Sequence, residues 1–293
     1  MTTEAVSAAI VPSRPAWHSL LWTVLFTALW TWLIYSLPAL LDGGLPALAA
    51  RLMVHELIAL GLWLGLERTD LTPDQRRATW LAVMVPFTLW TTVAWTAAIN
   101  GVFRAGASPL PMLPSAIFLP VIIGAPLLQM SKRVGQVLDA VPTTWLVALQ
   151  FYRVLGSQWL VYWLLGVLPG VWALPAGTGD VLTGLFAVPS AIALATGTAE
   201  GRKAAIIWNF FGLADFAVAI TIGLITSPGP FQLIVPNPPS IGTGTYPNVL
   251  TPAFVVPSSI LLHALSLRQL RRRGRAEAVR RLDPRLGEVA RRA

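Results

Sequence analysis

Four ionisable residues stand inside long apolar runs of this 293-residue sequence: Arg153, Asp215, Glu56 and His55. A charged side chain within hydrocarbon is costly, so such residues face the interior of a helix bundle and indicate a function. Arg153 could bind an anionic group or keep Asp215 ionised, whereas Glu56 and Asp215 are candidates for carrying a proton. We therefore predict that these four residues form a polar binding site.

The predicted depths of these side chains agree. At 1.5 Å of rise per residue, Arg153 lies about 14 Å and Asp215 about 15 Å from the cytoplasmic ends of their helices. Glu56 and His55 lie about 15–16 Å from theirs, at the depth where transporters commonly hold substrates and coupling ions. Arg153 and Asp215 should form a buried ion pair, which could serve packing, function or both. Glu56 and His55 point about 100° apart, so they cannot both face one partner.

Further polar residues belong to the same prediction. Gln150 shares a helix face with Arg153, and Gln150 and Asn209 could both donate hydrogen bonds to a ligand. A bis-histidine haem through His55 and His263 is geometrically allowed, but His263 is predicted a full turn lower, about 9 Å from the cytoplasmic end. With three histidines and no cysteine, we predict neither a cofactor nor a metal site.

The composition places these residues in a membrane. Only 12% of the residues are charged and 55% are hydrophobic, whereas a soluble domain carries about 25% charged residues. About 20 apolar residues cross a bilayer. Such runs occur at 17–41, 45–66, 79–101, 109–130, 144–168, 180–198, 204–226 and 250–269. Because their apolarity does not alternate, we predict an all-α polytopic membrane protein of about eight spans rather than a barrel.

The basic residues predict an orientation. They fall before the first span, in alternate loops and after the last span, whereas the opposite loops carry only Arg104. By the positive-inside rule both termini are cytoplasmic, and we expect a bacterial inner membrane. The predicted domains are a segment 1–16, a membrane domain 17–269 and an arginine-rich tail 270–293. The tail should bind anionic lipid headgroups and not nucleic acid, since nothing in it could stack on bases.

Two connections are rich in glycine and proline. Residues 168–180 are typical of a tight periplasmic turn, with Asp180 capping the next helix. The uncharged loop 227–248 is predicted to cover the periplasmic mouth of the bundle.

These features leave three hypotheses about function. The first is a small-molecule or proton-linked carrier, or a binding protein of similar design, that uses the four-residue site. The second is an intramembrane enzyme for a lipid-soluble substrate, with Asp180, Asp215 and His263 as acid–base groups. The third is an accessory or scaffold subunit without chemistry. No sequence motif is specific enough to assign a reaction or a set of catalytic residues.

Overall fold

The computed structural model describes residues 45–108 and 110–282, together with isolated positions between 21 and 32. Within these residues the fold is all-helical and contains no β-strand, which confirms the predicted class. The α-helices are α1 (Leu45–Glu67), α2 (Pro73–Ile99), α3 (Met112–Met130), α4 (Lys132–Ala140), α5 (Thr144–Leu149), α6 (Ser157–Leu164), α7 (Gly170–Ala195), α8 (Ala199–Thr226) and α9 (Val256–Leu282). Short 3₁₀ segments occupy Gln150–Gly156 and Gly242–Gly244, and a π-turn at Thr251–Val255 leads into α9.

Five stretches in the described part of the chain are long and apolar enough to cross a membrane. They are α2, α3, α7, α8 and Thr251–Ala278. The chain therefore has the helices of a multi-pass membrane protein, while the count of eight spans stays a prediction. The first predicted span, 17–41, lies outside the described residues apart from the isolated positions, which are helical.

The predicted fifth span is not one continuous α-helix. α5 ends at Leu149, and the chain runs as a 3₁₀ helix from Gln150 to Gly156 before α6 resumes the α-helical form. A 3₁₀ stretch in the middle of a helix often marks a hinge or a functional position. This segment carries Arg153.

The predicted sixth span begins ten residues too late. α7 starts at Gly170, and the run Pro-Ala-Gly-Thr-Gly at 175–179 is part of the helix. These small residues allow close packing, because a Cβ atom at Gly177 would lie 2.8 Å from the side chain of Leu160. The prediction of a turn at 168–180 was wrong, because tertiary packing overrides the weak helix propensity of glycine.

Basic residues near the ends of several helices meet at one end of the bundle, which we call the basic end. There Arg272 of α9 pairs with Asp139 of α4, and Arg202 of α8 pairs with Glu277 of α9. Arg268 donates to the carbonyl of Ser131 at 2.9 Å. The helix α9 continues beyond 269 as far as Leu282, so the first part of the predicted tail extends the last helix.

The loop after α8 lies at the opposite end of the bundle. Its second half is packed inward, with Ser240 and Thr243 buried. The Ser240 hydroxyl lies 3.1 Å from that of Thr226, and a Cβ at Gly244 would lie 3.0 Å from the carbonyl of Phe103. The loop thus contacts the end of α8 and the connection between α2 and α3, while its role as a cover over a periplasmic mouth stays a prediction.

Candidate functional site

Arg153 joins two aspartates on two different helices. Its Nε atom donates to Oδ1 of Asp180 on α7 at 2.8 Å, and its Nη2 atom donates to Oδ2 of Asp215 on α8. The side chains of Arg153, Asp215 and Asp180 are 2%, 5% and 18% exposed. We call these three residues the acidic triad. Its three members come from the 3₁₀ segment, α7 and α8, so it fixes how these elements pack.

A histidine from α9 completes the surroundings of Arg153. Nη1 of Arg153 lies 3.3 Å from Nε2 of His263 and also donates to the carbonyl of Gly212 at 3.3 Å. Because a guanidinium can only donate, Nε2 of His263 must accept. The imidazole proton then lies on Nδ1, which donates to Oδ1 of Asn209 at 3.0 Å. The contacts therefore select one neutral tautomer of His263.

Asn209 anchors this histidine. Its amide nitrogen donates to the carbonyl of Ala205 at 2.8 Å and to the hydroxyl of Ser266 at 3.1 Å. These donations leave Oδ1 free to accept from His263, as the tautomer requires. His263 and Asn209 are both fully buried. Asn209 thus positions the imidazole, and the imidazole positions one edge of the guanidinium.

Aromatic rings pack against Arg153 and His263. The guanidinium carbon of Arg153 lies 3.8 Å from the ring centroid of Phe216, a cation–π contact. The ring of Trp208 lies 5.0 Å from that of His263, and its indole donates to the carbonyl of Thr183 at 2.9 Å. Such apolar walls lower the local dielectric constant and strengthen every electrostatic interaction inside.

Glycines make room for the charged groups. A Cβ atom at Gly179 would collide with Oδ1 of Asp215, closer than any real contact. A Cβ at Gly212 would lie 2.6 Å from two ring atoms of His263 and 3.0 Å from Nη1 of Arg153. Gly179 of α7 and Gly212 of α8, which by their type disfavour a helix, thus leave the space that the triad and His263 occupy.

The formal charges of the triad do not balance. Two carboxylates face one guanidinium, and the tautomer of His263 carries no charge. If both carboxyls are ionised, one negative charge is left over in a buried site. Two carboxyl groups that lie close together do not both ionise unless nearby positive charge compensates them. The arrangement can therefore hold one proton on either of its carboxyl groups, or another cation beside them.

The structure brings together part of the predicted site. Arg153 and Asp215 form the expected ion pair, and Asn209 joins them through His263. Gln150 is fully buried but donates to the carbonyl of Ser259 at 3.1 Å, so it lies beside the triad without contacting it through the bonds described.

Glu56 and His55 do not join the triad, and the predicted four-residue site is corrected accordingly. The His55 ring stacks on Phe87 at 5.2 Å, and its Nε2 atom lies 3.0 Å from the hydroxyl of Thr88. Glu56 bonds to His55 at 3.3 Å, and its side chain is 73% exposed. The prediction used only the depth of these residues along α1. It did not include the rotation of α1 about its axis, and this rotation turns Glu56 outward.

From the sequence, Asp180 and His263 were predicted as acid–base groups of the enzyme hypothesis but not as neighbours of Arg153. Asp180 was assigned a capping role, which is wrong because it lies ten residues inside α7. His263 was predicted a full turn below the level of His55 and apart from Arg153, yet its Nε2 atom lies 3.3 Å from Nη1 of Arg153. The haem alternative would use one ring nitrogen each of His55 and His263 as an iron ligand. In the structure all four ring nitrogens of these two residues lie within hydrogen-bond distance of protein atoms.

An apolar groove runs along the outer side of α6 and α7. It has a volume of about 540 Å³. Its lining comes from α6, α7 and the isolated positions near the N-terminus: Val161, Leu164, Leu185, Val24, Thr27, Ala28 and Trp32. The groove is therefore bordered by the two helices that follow and face Arg153.

The helices and the buried triad define a multi-pass membrane protein with an ionisable cluster inside its bundle. The chain belongs to the family described as a domain of unknown function (DUF8737), which matches residues 110–271, more than half of the sequence. The matched region contains the triad, Asn209 and His263, whereas His55 and Glu56 lie outside it. No curated protein and no solved structure matches the chain.

Proposed function

We propose that this protein is a proton-linked carrier and that the acidic triad is its proton-binding site. The observation that carries the proposal is that two carboxylates share one guanidinium within buried surroundings. A permanent ion pair for packing needs one acid per arginine. The second acid gives the site a place for an exchangeable proton, which couples carriers to a proton gradient.

The helix break supports this proposal. Arg153 lies on the 3₁₀ segment between α5 and α6, not on a regular helix. Secondary transporters typically build their ion sites from discontinuous helices, whose two halves can tilt separately. A proton that arrives on the triad weakens one of the two bonds to Arg153, and α7 or α8 can then move relative to the 3₁₀ segment.

Asp180 is the member through which protons would enter. Its side chain is 18% exposed, against 5% for Asp215 and 2% for Arg153. His263 acts as a positioning residue, because it accepts from Arg153 and stays neutral while it does so. Protonation of its Nε2 would place two donors face to face and push the guanidinium away.

Infrared spectroscopy of the protein in nanodiscs tests the proton site. We expect the C=O band of a protonated carboxyl group at neutral pH in the wild type, and its loss in Asp180→Asn and in Asp215→Asn. Either substitution leaves one acid per arginine. The matched control is Asp139→Asn, which removes an exposed carboxylate and should leave the band intact. Absence of the band from the wild type would contradict the proposal.

The same spectra separate a carrier from a scaffold subunit. A carrier must connect its site to water, so the carboxyl band should shift when the medium is exchanged for D₂O. A band that stays unshifted after prolonged exchange indicates a sealed site with a packing role, and the carrier proposal fails.

One observation favours a second candidate, an enzyme that acts on a lipid-soluble substrate. Asp180, Asp215 and His263, the acid–base groups of that hypothesis, all meet at Arg153, and the apolar groove lies along α6 and α7. Filling the groove with Leu185→Trp tests it. Under the enzyme hypothesis, Leu185→Trp should abolish the binding of apolar ligands. Under the carrier proposal, the same substitution should leave the infrared band of the protonated carboxyl group unchanged.

We further propose that the basic end faces the cytoplasm of a bacterial cell, with eight spans and both termini inside. The clustering of basic residues at this end supports the orientation, and exposed arginines such as Arg271 and Arg275 would bind anionic headgroups. Because the chain has no cysteine, Ala276→Cys and Asn237→Cys can be probed with a membrane-impermeant thiol reagent. On intact cells only the Asn237→Cys variant should react. Reaction of Ala276→Cys instead would reverse the orientation.

A further inference from the structure

A short stretch of the loop after α8 exposes large apolar side chains. Phe231, Leu233, Ile234 and Val235 are 49%, 81%, 41% and 84% exposed, and we call these four residues the apolar ridge. Contiguous apolar exposure of this kind marks a surface that contacts something other than water. The ridge lies at the end opposite the basic end, outside the predicted spans.

The ridge is attached where the lipid-facing surface of α8 ends. Exposed residues follow one another along α8 at helical spacing: Ile207, Phe210, Phe211, Ala214, Val218 and Thr221. One turn further on, the carbonyl of Ile225 accepts hydrogen bonds from the amides of Leu233 and Ile234 at 2.8 and 2.9 Å. The chain therefore folds back onto the last turn of α8, and the ridge continues the apolar surface of this helix.

The chemistry of the loop suits a lipid environment. There is no lysine, arginine, aspartate or glutamate between Phe216 and Leu267. Five prolines around the ridge have no amide hydrogen to satisfy: Pro228, Pro230, Pro236, Pro238 and Pro239. The amide side chain of Gln232 donates to the carbonyls of Thr226 and Ile234, both at 3.3 Å. The prolines and these internal hydrogen bonds lower the number of backbone N–H groups in the ridge that need water, which favours contact with a bilayer.

We propose that the apolar ridge inserts into the bilayer leaflet opposite the basic end and anchors the loop to the membrane. Leu233 and Val235 are its tips, since they are the most exposed. The inward half of the loop, from Ser240 to Asn248, then lies between the anchored ridge and the bundle. The bilayer and the bundle together hold the loop in place. This inference does not depend on the proton-binding site.

Spin labels on a chain without native cysteine test the insertion directly. Leu233→Cys and Val235→Cys carry nitroxide labels in nanodiscs, and collisions with oxygen, which concentrates in lipid, are compared with collisions with a water-soluble nickel chelate. Val218→Cys on the exposed face of α8 is the lipid reference. Asn237→Cys, exposed on the same loop, is the aqueous reference.

We expect the oxygen-to-nickel collision ratio at Leu233 and Val235 to match that at Val218 and to exceed that at Asn237 several-fold. A ratio equal to that at Asn237 would place the ridge in water and overturn the proposal. Protection from both reagents would show that another protein chain covers the ridge, which also overturns it. Thermal unfolding of each labelled variant confirms that the labels report on the folded protein.

Discussion

The acidic triad and the ion pairs of the basic end use the same chemical groups in opposite settings. In the pair of Arg272 with Asp139 the side chains are 42% and 48% exposed, whereas those of Arg153 and Asp215 are 2% and 5% exposed. At the basic end arginines are in excess, and water and headgroups can solvate them. In the triad the carboxylates are in excess and largely shielded from solvent. A surplus charge is thus harmless in one region and requires a bound proton or cation in the other.

The largest effect should come from removing the shared arginine. Arg153→Gln leaves the buried carboxyl groups of Asp180 and Asp215 without their cation, so we expect a loss of about 3–5 kcal/mol in the free energy of unfolding. Unfolding in detergent measures it. The matched control is Arg272→Gln at the basic end, where an exposed pair contributes about 0–1 kcal/mol. Equal losses in the two variants would show that burial does not separate the two regions.

A smaller effect is expected from crowding the triad. In Gly179→Ala the added methyl group collides with Asp215, so we expect a loss of about 1–3 kcal/mol in the free energy of unfolding. Gly61→Ala in α1 is the control, because nothing lies within 4 Å of its new Cβ. That substitution should stabilise the helix by up to about 1 kcal/mol. If Gly179→Ala is equally harmless, the close approach of α7 and α8 is not needed.

The smallest effect concerns pH at the basic end. The hydrogen bond from Arg272 lowers the pKa of Asp139 below its ordinary value. A carboxyl group with a lowered folded-state pKa stabilises the protein above its unfolded pKa, and this stability is lost as the pH falls through the folded pKa.

We therefore expect wild type to be slightly more stable than Asp139→Asn at neutral pH, by no more than about 1 kcal/mol for so exposed a pair. The difference should vanish in acid. Paired unfolding curves at neutral and acidic pH measure it, and a difference that grows in acid has the wrong sign for this explanation.

The buried site could be predicted from the sequence only in part. Charged residues inside apolar runs are easy to identify in a sequence. A rise of 1.5 Å per residue placed Arg153 and Asp215 at the same depth, and the structure shows that they pair. The rise along a helix does not tell which way a side chain points around the helix axis. Glu56 has the right depth and points outward, and only the packing of α1 against its neighbours decides that.

Asp180 and His263 were predicted as acid–base groups but not as neighbours of Arg153, and for Asp180 the reason is that the start of α7 was misplaced. The glycines and prolines at 169–179 indicated a turn, yet those glycines fit against Leu160 and Asp215 and remain helical. The arginines after 270 indicated a tail, yet α9 continues through them and bonds to α4. Both errors come from tertiary contacts, which local sequence does not contain. The helical class itself needed only composition and the length of the continuous apolar runs.

By our proposal, the triad holds one acid more than its arginine can balance. The free energies of unfolding of Asp180→Asn and Asp215→Asn at neutral pH test this proposal most directly. If one carboxyl already carries a proton, an amide in its place changes little, and each variant should stay within about 1 kcal/mol of wild type or exceed it. If both variants instead lose about 3–5 kcal/mol, as expected for Arg153→Gln, both carboxylates are ionised and structural, and the proton-binding site is refuted.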